Sequence, residues 1–265
     1  MSAQPAQEPP PDLKPVEGHH GGPDMTLIDH LKELRNRVII CALALVIGSL
    51  VSFLFWENIL GWLLAPARVD HPEFTLTSFS PTDRISAIFK IGLYGGVILA
   101  SPVIIYQLLM FVVPGLTPRE RKWLLPGVLG AILFLVAGMA FAYFIILPAS
   151  LGFLLDLGSK QIETKTGIQP YLDFVSRIVF FVGLSFEMPV VLAILGKLGV
   201  VRPRQMLKFW RYAILIIVIL SAVITPTPDP YNQLLVAGPM FALYALGVAF
   251  AFVLQPRKPR GQPAA

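Results

Sequence analysis

The sequence predicts an all-α, polytopic membrane protein: six transmembrane helices with both termini on the cytoplasmic side. Three observations predict it. The 265 residues are 55% hydrophobic and only 14% charged, more apolar than a soluble chain of this size needs to be. The apolar residues fall in long blocks, several of which reach the ~18 to 20 residues that cross ~30 Å of hydrocarbon as a helix. The third observation is charge placement. Residues 29–37, 115–122, 197–211 and 255–260 hold fourteen Lys and Arg, whereas the alternate segments 57–81, 148–169 and 226–230 hold three, Arg68, Lys160 and Lys165. The positive-inside rule then puts both termini in the cytoplasm. The net charge of +5 is this asymmetry and calls for no nucleic-acid partner.

Taken in order, residues 1–24 are rich in Pro, Gly and Gln and lack a basic segment followed by an apolar one. They are expected to be a disordered cytoplasmic tail and not a cleavable signal. A membrane domain follows over 25–254. It opens with "DMTLIDHLKELRNR", which puts Leu27, Ile28, Leu31 and Leu34 on one helical face, as in an amphipathic helix at a membrane surface. The first span, 38–56, contains the single cysteine, Cys41, expected to be a small packing residue. The second, 82–113, is longer than one crossing requires, and Asp83, Arg84 and Lys90 in its first turns place its start beyond the lipid. Gly92, Gly96 and Ala100 form an i, i+4, i+8 stripe on it that permits close helix contact. The third span, 123–147, is preceded by Thr117-Pro118-Arg119-Glu120, which fits a capping box with Thr117 at Ncap and Glu120 at N3. The fourth is 170–196 and contains a carboxylate, Glu187. In the fifth, 209–225, the clean apolar run from Tyr212 to Thr225 is 14 residues, or ~21 Å; such a helix thins the bilayer or is shielded by neighbours. The sixth is 231–254, and 255–265 is a second cytoplasmic tail. No repeat or matched pair of broken helices marks an inverted-repeat transporter.

Catalytic chemistry finds no constellation, so no enzyme, metal or cofactor is expected. All four histidines, His19, His20, His30 and His71, lie outside the spans, and "HLKEL" is not a zinc-binding arrangement. Ser185 has neither a nucleophile-elbow pattern nor a membrane-depth histidine, and no second intramembrane acid pairs with Glu187. Carboxylates in telling places remain. Glu33 is i, i+4 from Arg37 and can pair with it, and Glu120 can be a cap; these are structural readings that do not exclude function. Glu187 is harder to explain. Charging an acid at the bilayer centre costs on the order of 2.5 to 3.5 kcal/mol, so it should be buried against protein, paired or protonated, and the neutral acid is expected at rest. Pro189 lacks the N–H that would bond the Ser185 carbonyl, so Ser185, Glu187 and Pro189 together make a polar patch in an apolar helix. The plainer alternative is an acid hydrogen-bonded to a neighbouring helix.

The succession "HLKELRNR", "SPVIIYQLLMFVVPGLTPRERK", "GMAFAYFIILP", "YLDFVSRIVFFVGLSFEMPVV" and "LSAVITPTPDPYNQLLVAGPM" resembles the TatC family, the multi-spanning core subunit of the twin-arginine protein translocase. The resemblance runs in order from about Leu27 to about Leu254. It implies a six-helix cup in the cytoplasmic membrane of a prokaryote, part of a larger self-associating complex. It also implies Sec-independent transport of folded proteins, with twin-arginine signal peptides recognised and TatA-type and possibly TatB-type single-span subunits as partners, driven by the proton-motive force. Carried over residue by residue, the family's signal-binding acids correspond to Glu33 and Glu120, with Arg35, Phe111 and Pro114 close by. Paired guanidiniums are planar and always charged, and are well read by carboxylates accepting forked hydrogen bonds. The family's intramembrane acid corresponds to Glu187, beside Ser185 and Pro189, and its polar partner-contact position to Gln233. The segment "TPTPDPYNQ" carries more prolines than the family pattern, which leaves the placement of Asp229 open. Two other readings compete. A proton-coupled small-solute transporter would use Glu187 as carrier but should show several midplane polar groups; an intramembrane protease lacks its catalytic groups.

Overall fold

The computed structural model describes residues 27–69, 71–112, 124–157, 165–197, 199–225 and 227–254. Both tails, and with them Pro114 and the capping-box segment with Glu120, lie outside the described residues. The described chain is helical apart from short connections and one isolated bridge, Thr77 to Gly167. Its helices are α1 (Leu27–Leu54), α2 (Trp56–Arg68), α3 (Pro81–Val112), α4 (Leu124–Phe141), a π-helical segment (Ala142–Ile146), α5 (Leu147–Asp156), α6 (Ile168–Ser185), α7 (Met188–Lys197), α8 (Pro203–Lys208), α9 (Trp210–Ile224) and α10 (Pro230–Leu254). Among the described residues, five continuous or jointed stretches are long and apolar enough to cross a membrane: His30–Leu54, Pro81–Phe111, Pro126–Asp156, Ile168–Lys197 and Pro230–Leu254. The sixth expected span is α9, apolar but only 15 residues long, ~22 Å at 1.5 Å per residue. Its shortness agrees with the sequence.

Four boundaries differ from expectation, each for a physical reason. The amphipathic segment and the first span form one helix, α1, because nothing between Leu27 and Leu54 breaks it: the sequence there has no proline, and Glu33 and Arg37 pair along the helix. The chain after the first span, expected as a loop, is α2. Its internal Pro66 cannot donate to the Trp62 carbonyl, and the Tyr143 hydroxyl donates to that carbonyl instead, at 2.7 Å. Tyr171 donates to the neighbouring Leu63 carbonyl at 2.6 Å. The third span, expected to end at Leu147, runs on past Pro148 to Asp156. The π turn just before the proline, closed by the Leu147 N–H on the Ala142 carbonyl, widens the helix and lets the ring pass. The fourth span is not one helix: it breaks at Phe186 and Glu187 between α6 and α7.

Two packing features position everything else. The Gly92–Gly96–Ala100 stripe of α3 is buried contact surface, as expected. A Cβ added to Gly96 would stand 2.6 Å from the Ser49 backbone, and one added to Gly92 would stand 2.5 Å from the Phe53 ring, so the backbones of α1 and α3 approach as closely as only small residues allow. The other feature is α6, whose Leu172, Val175 and Ile178 are fully buried at the centre of the core. Its start is tied to the start of α3 by a Lys90–Asp173 ion pair at 2.7 Å and by the Gln169 amide donating to the Asp83 carbonyl at 2.8 Å. The Asp83 carboxylate in turn accepts from the Phe79 and Ser80 N–H groups at 2.9 Å, capping α3. The charged first turns of the second span are therefore structural anchors.

Candidate functional site

The first cluster forms where the start of α1 meets the end of α3. Glu33 and Arg37 are one helical turn apart and form the expected ion pair. The Arg37 Nε donates to Glu33 Oε1 at 3.1 Å, a second guanidinium nitrogen reaches the same oxygen, and Nη1 donates to the Gln107 Oε1 of α3 at 3.1 Å. Arg37 thus bridges two spans through a forked contact that a lysine could not make. The other carboxylate oxygen of Glu33, Oε2, is buried without a hydrogen-bond partner. Phe111, one helical turn beyond Gln107, stacks on the His30 ring with centroids 4.5 Å apart. Among the described residues no group of three metal-binding side chains exists. Arg35 is exposed, and its contact is with the Asn36 side chain at 3.4 Å. The structure thus brings Glu33 and Phe111 to the same meeting of α1 and α3, whereas the exposed Arg35 has its contact with Asn36; Pro114 and Glu120 fall outside the described residues.

The second cluster is the break in the fourth span. Pro189 would clash with the Ser185 carbonyl in a continuous helix and has no N–H to give it. The chain responds by tightening: the Glu187 N–H donates to Leu184, three residues back, at 3.0 Å, and the Phe186 N–H is shared between Val182 and Gly183. A new helix then starts, with Pro189 in its first turn, where a missing donor costs nothing. The expected polar patch is therefore a helix break, and not a single open carbonyl in a continuous helix. Ser185 turns its hydroxyl back on the Phe181 carbonyl at 2.7 Å. Neighbouring helices make room for the break with glycines. Phe186 lies over Gly138 of α4, and the Pro189 backbone and Leu192 lie against Gly247 of α10, where an added Cβ would come within 2.9 Å of Pro189. Glu187 is only 9% exposed, and its Oε1 has no hydrogen-bond partner. Arg177, ten residues before Glu187 in the sequence, is exposed. The plainer expectation for Glu187, a bond to a neighbouring helix, is not met at that oxygen: a buried carboxyl oxygen is left with unused hydrogen-bonding capacity.

The third cluster is the head of α10. Asp229, whose placement the extra prolines left open, caps this helix. Its Oδ1 accepts the Asn232 N–H at 2.7 Å and its Oδ2 accepts from the Asn232 side-chain amide at 3.0 Å, with Pro230 at the first helical position. Slight burial would push the Asp229 carboxyl up, but these hydrogen bonds outweigh it and hold the acid below the usual carboxylate range. Gln233 is half-buried and donates from Nε2 to the Val218 carbonyl of α9 at 3.2 Å, so it already links the short fifth helix to the last. Three polar residues with structural partners escaped the sequence reading: Gln107, Asn232 and Asp173, the partner of Lys90. Asn232 is fully buried and its Oδ1 has no partner. The available signal was the same in each case, a polar side chain inside an apolar run, as in "IIYQLL" and "PYNQLL".

Comparison with known proteins adds to this geometry. A family model described as "Sec-independent protein translocase protein (TatC)" matches residues 29–239. A Sec-independent protein translocase protein TatC from Synechocystis is 39% identical over 225 residues, 85% of this chain and 87% of its own length. The Aquifex aeolicus protein of the same description is 40% identical over 226 residues, covering 84% of this chain and 93% of its own. A crystal structure described as "Twin Arginine Translocase Receptor- TatC" superposes with a TM-score of 0.77 at 40% identity, over 85% of this chain and 99% of that one. These similarities are all to translocase proteins and lend nothing to the solute-transporter reading.

Proposed function

The chain belongs to the TatC family of Sec-independent protein translocase proteins, and we propose that within such a translocase it is the receptor for twin-arginine signal peptides and the scaffold on which single-span partners assemble. Its positively charged connections lie on the cytoplasmic side of the membrane in this reading, and the signal peptide is met there, at the start of α1 and the end of α3. Glu33 and Glu120 together hold the two guanidiniums, with Arg35, Phe111 and Pro114 framing them. The observation that supports the reading most is the buried, unpartnered Oε2 of Glu33 beside an oxygen already held by an arginine. The site is built to bind guanidinium and has capacity left for more of it. A guanidinium that docked there would convert an unsatisfied oxygen into a charge-assisted hydrogen bond, worth ~1.5 to 3 kcal/mol.

Single-span TatA-type and TatB-type helices dock deeper in the membrane, against Glu187 and Gln233. Glu187 has an oxygen without a partner, and a polar group in an incoming helix would satisfy it. Gln233 borders α9, where a helix of ~22 Å leaves the bilayer mismatched and a neighbouring helix relieves the mismatch. Transport is driven by the proton-motive force, with folded proteins as cargo, and no covalent chemistry is required of this chain.

The test is crosslinking of a photoreactive twin-arginine signal peptide to the protein and to its Glu33→Gln and Glu120→Gln variants, with the Lys-Lys peptide alongside. Glutamine keeps the shape of each acid and much of the capping geometry but loses the charge. Ten-fold or greater loss of crosslinking in each folded variant and with the Lys-Lys peptide is expected. Undiminished crosslinking to Glu120→Gln would return that residue to a capping role.

A further inference from the structure

The junction of α8 and α9 presents chemistry that neither signal binding nor partner docking uses. A cavity of about 910 Å³ opens along the outer side of α9, with Lys208, Trp210 and Arg211 at one end and Tyr212, Leu215 and Val218 continuing from them. Lys208 and Arg211 flank Phe209, where the chain turns out of α8 into α9. Neither forms an ion pair among the described residues; the Arg211 guanidinium lies 6.0 Å from the centre of the Trp210 ring. The sequence contains no acidic residue at all from Met188 to Pro228, so no carboxylate of this stretch neutralises them. The indole of Trp210 and the phenol of Tyr212 are more than half exposed, a placement favoured at the level where hydrocarbon gives way to headgroups. Below them the wall is purely aliphatic. Within α9, Trp210 and Val218 are eight residues apart, ~12 Å along the helix.

We propose that this groove is a binding site for one anionic glycerophospholipid. The phosphate sits between Lys208 and Arg211, where the planar guanidinium can donate two parallel hydrogen bonds to it and the ammonium adds a compact charge. Trp210 and Tyr212 flank the glycerol backbone, and the upper part of an acyl chain runs along Leu215 toward Val218. Three features fix the occupant: two cations without an ion-pair partner among the described residues, aromatic side chains beside and just below them, and an apolar wall, Ile214 to Val218, that continues from them along α9. A polypeptide helix would satisfy the wall but not the cations. A soluble phosphate would satisfy the cations but leave the wall bare. The position is also apt, because α9 is the helix too short for an ordinary bilayer, and a lipid held by its headgroup fixes where the leaflet boundary meets it. The leaflet concerned follows from the orientation proposed above, whereas the binding does not depend on it.

Full-length protein in neutral detergent is titrated with phosphatidylglycerol or phosphatidylcholine and read by native mass spectrometry. One phosphatidylglycerol should be retained with at least ten-fold preference over phosphatidylcholine. The double variant Lys208→Gln/Arg211→Gln should reduce that preference to near unity. Arg202→Gln/Arg204→Gln, with the same loss of charge on exposed positions of α8 and its start, should keep it. A second measurement serves if the first double variant does not fold: on the unmodified protein, brominated phosphatidylglycerol should quench fluorescence that Trp210→Phe abolishes, and brominated phosphatidylcholine should not. Preference retained in the Lys208/Arg211 variant, equal loss in the Arg202/Arg204 variant, equal quenching by the two lipids, or inorganic phosphate displacing the lipid at millimolar concentration would each overturn the proposal.

Discussion

Replacing Arg37 by glutamine should tighten the binding of a twin-arginine signal peptide. Arg37 occupies Glu33 Oε1 with two guanidinium nitrogens and holds Gln107 with a third. In the receptor reading a signal-peptide arginine must displace it or share the carboxylate with it, so part of the gross binding energy replaces an interaction that already exists. The two side chains are 18% and 19% exposed. The pair is therefore worth more than the ~0.3 to 0.5 kcal/mol of a fully exposed helical pair, and less than the ~3 kcal/mol upper end for charged hydrogen bonds. Taking about 1 to 2 kcal/mol, and ten-fold per 1.4 kcal/mol, removal of the internal guanidinium should raise affinity by roughly five- to thirty-fold. Fluorescence anisotropy of a labelled signal peptide titrated with detergent-solubilised protein measures this directly. Arg37→Lys separates displacement from simple charge repulsion: it keeps the charge and loses the fork, so displacement predicts an affinity shifted toward that of Arg37→Gln, and repulsion alone predicts none. An Arg37→Gln protein that keeps its thermal midpoint but binds the peptide no better, or worse, would refute the reasoning and make Arg37 a positioning residue for Glu33. Unchanged binding by Glu33→Gln would remove the acid from the site altogether.

The other predictions rest on separate features. At the break in the fourth span, Glu187→Gln should retain partner recruitment and Glu187→Ala should lose it, while Glu187→Leu, by removing an unsatisfied buried oxygen, should stabilise the isolated protein by on the order of 1 to 3 kcal/mol and abolish transport; normal transport by Glu187→Ala leaves the acid purely structural. Gln233→Leu should lose crosslinking to a single-span partner and keep signal-peptide affinity, at the cost of one hydrogen bond to Val218, ~0.5 to 1.5 kcal/mol in thermal stability. Gly96→Val should separate α1 from α3, since even its Cβ would meet the Ser49 backbone at 2.6 Å; a loss of ~1 to 3 kcal/mol is expected, and an unchanged melting midpoint would show the two helices to be less tightly held. In a Cys41→Ala background, a cysteine at the exposed Asn58 of α2 should react with an impermeant reagent added to intact cells and one at the exposed Gln205 of α8 should not; the reverse pattern inverts the orientation.

Much of the molecule was legible residue by residue, and the reasons differ. Span number and approximate position follow from hydrophobic length alone, because lipid leaves a chain few ways to satisfy its backbone. The Gly92–Gly96–Ala100 stripe was readable because small residues at helical spacing have one common use, and the pair of Glu33 with Arg37 because i, i+4 contacts are local. What could not be read were partnerships between distant segments. Gln107 lies 70 residues from Arg37 and Tyr143 lies 81 from Trp62; nothing in the intervening sequence encodes their meeting. The continuation of the third span past Pro148 depended on a π turn, a choice made by packing around Ala142 and Ile146, both buried.

The same division separates what the sequence by itself determined from what only the tertiary structure decided. The sequence determined that this is a helical membrane protein of five to six apolar helices with a strong charge asymmetry, a short apolar helix before the last one, an acid in the middle of the apolar run before that and the motifs of a TatC protein. Each of these is a property of one segment or of the order of segments, and water, lipid and helix geometry act on segments locally. The tertiary structure decided how the polar groups were spent. Arg37 joins Glu33 to Gln107, Gln233 is engaged by the Val218 carbonyl, and Asp229 caps the last helix, whereas one oxygen each of Glu33 and Glu187 is left without a partner. Whether a buried polar atom is satisfied depends on groups that arrive from other helices, and their arrival is set by packing across the whole bundle.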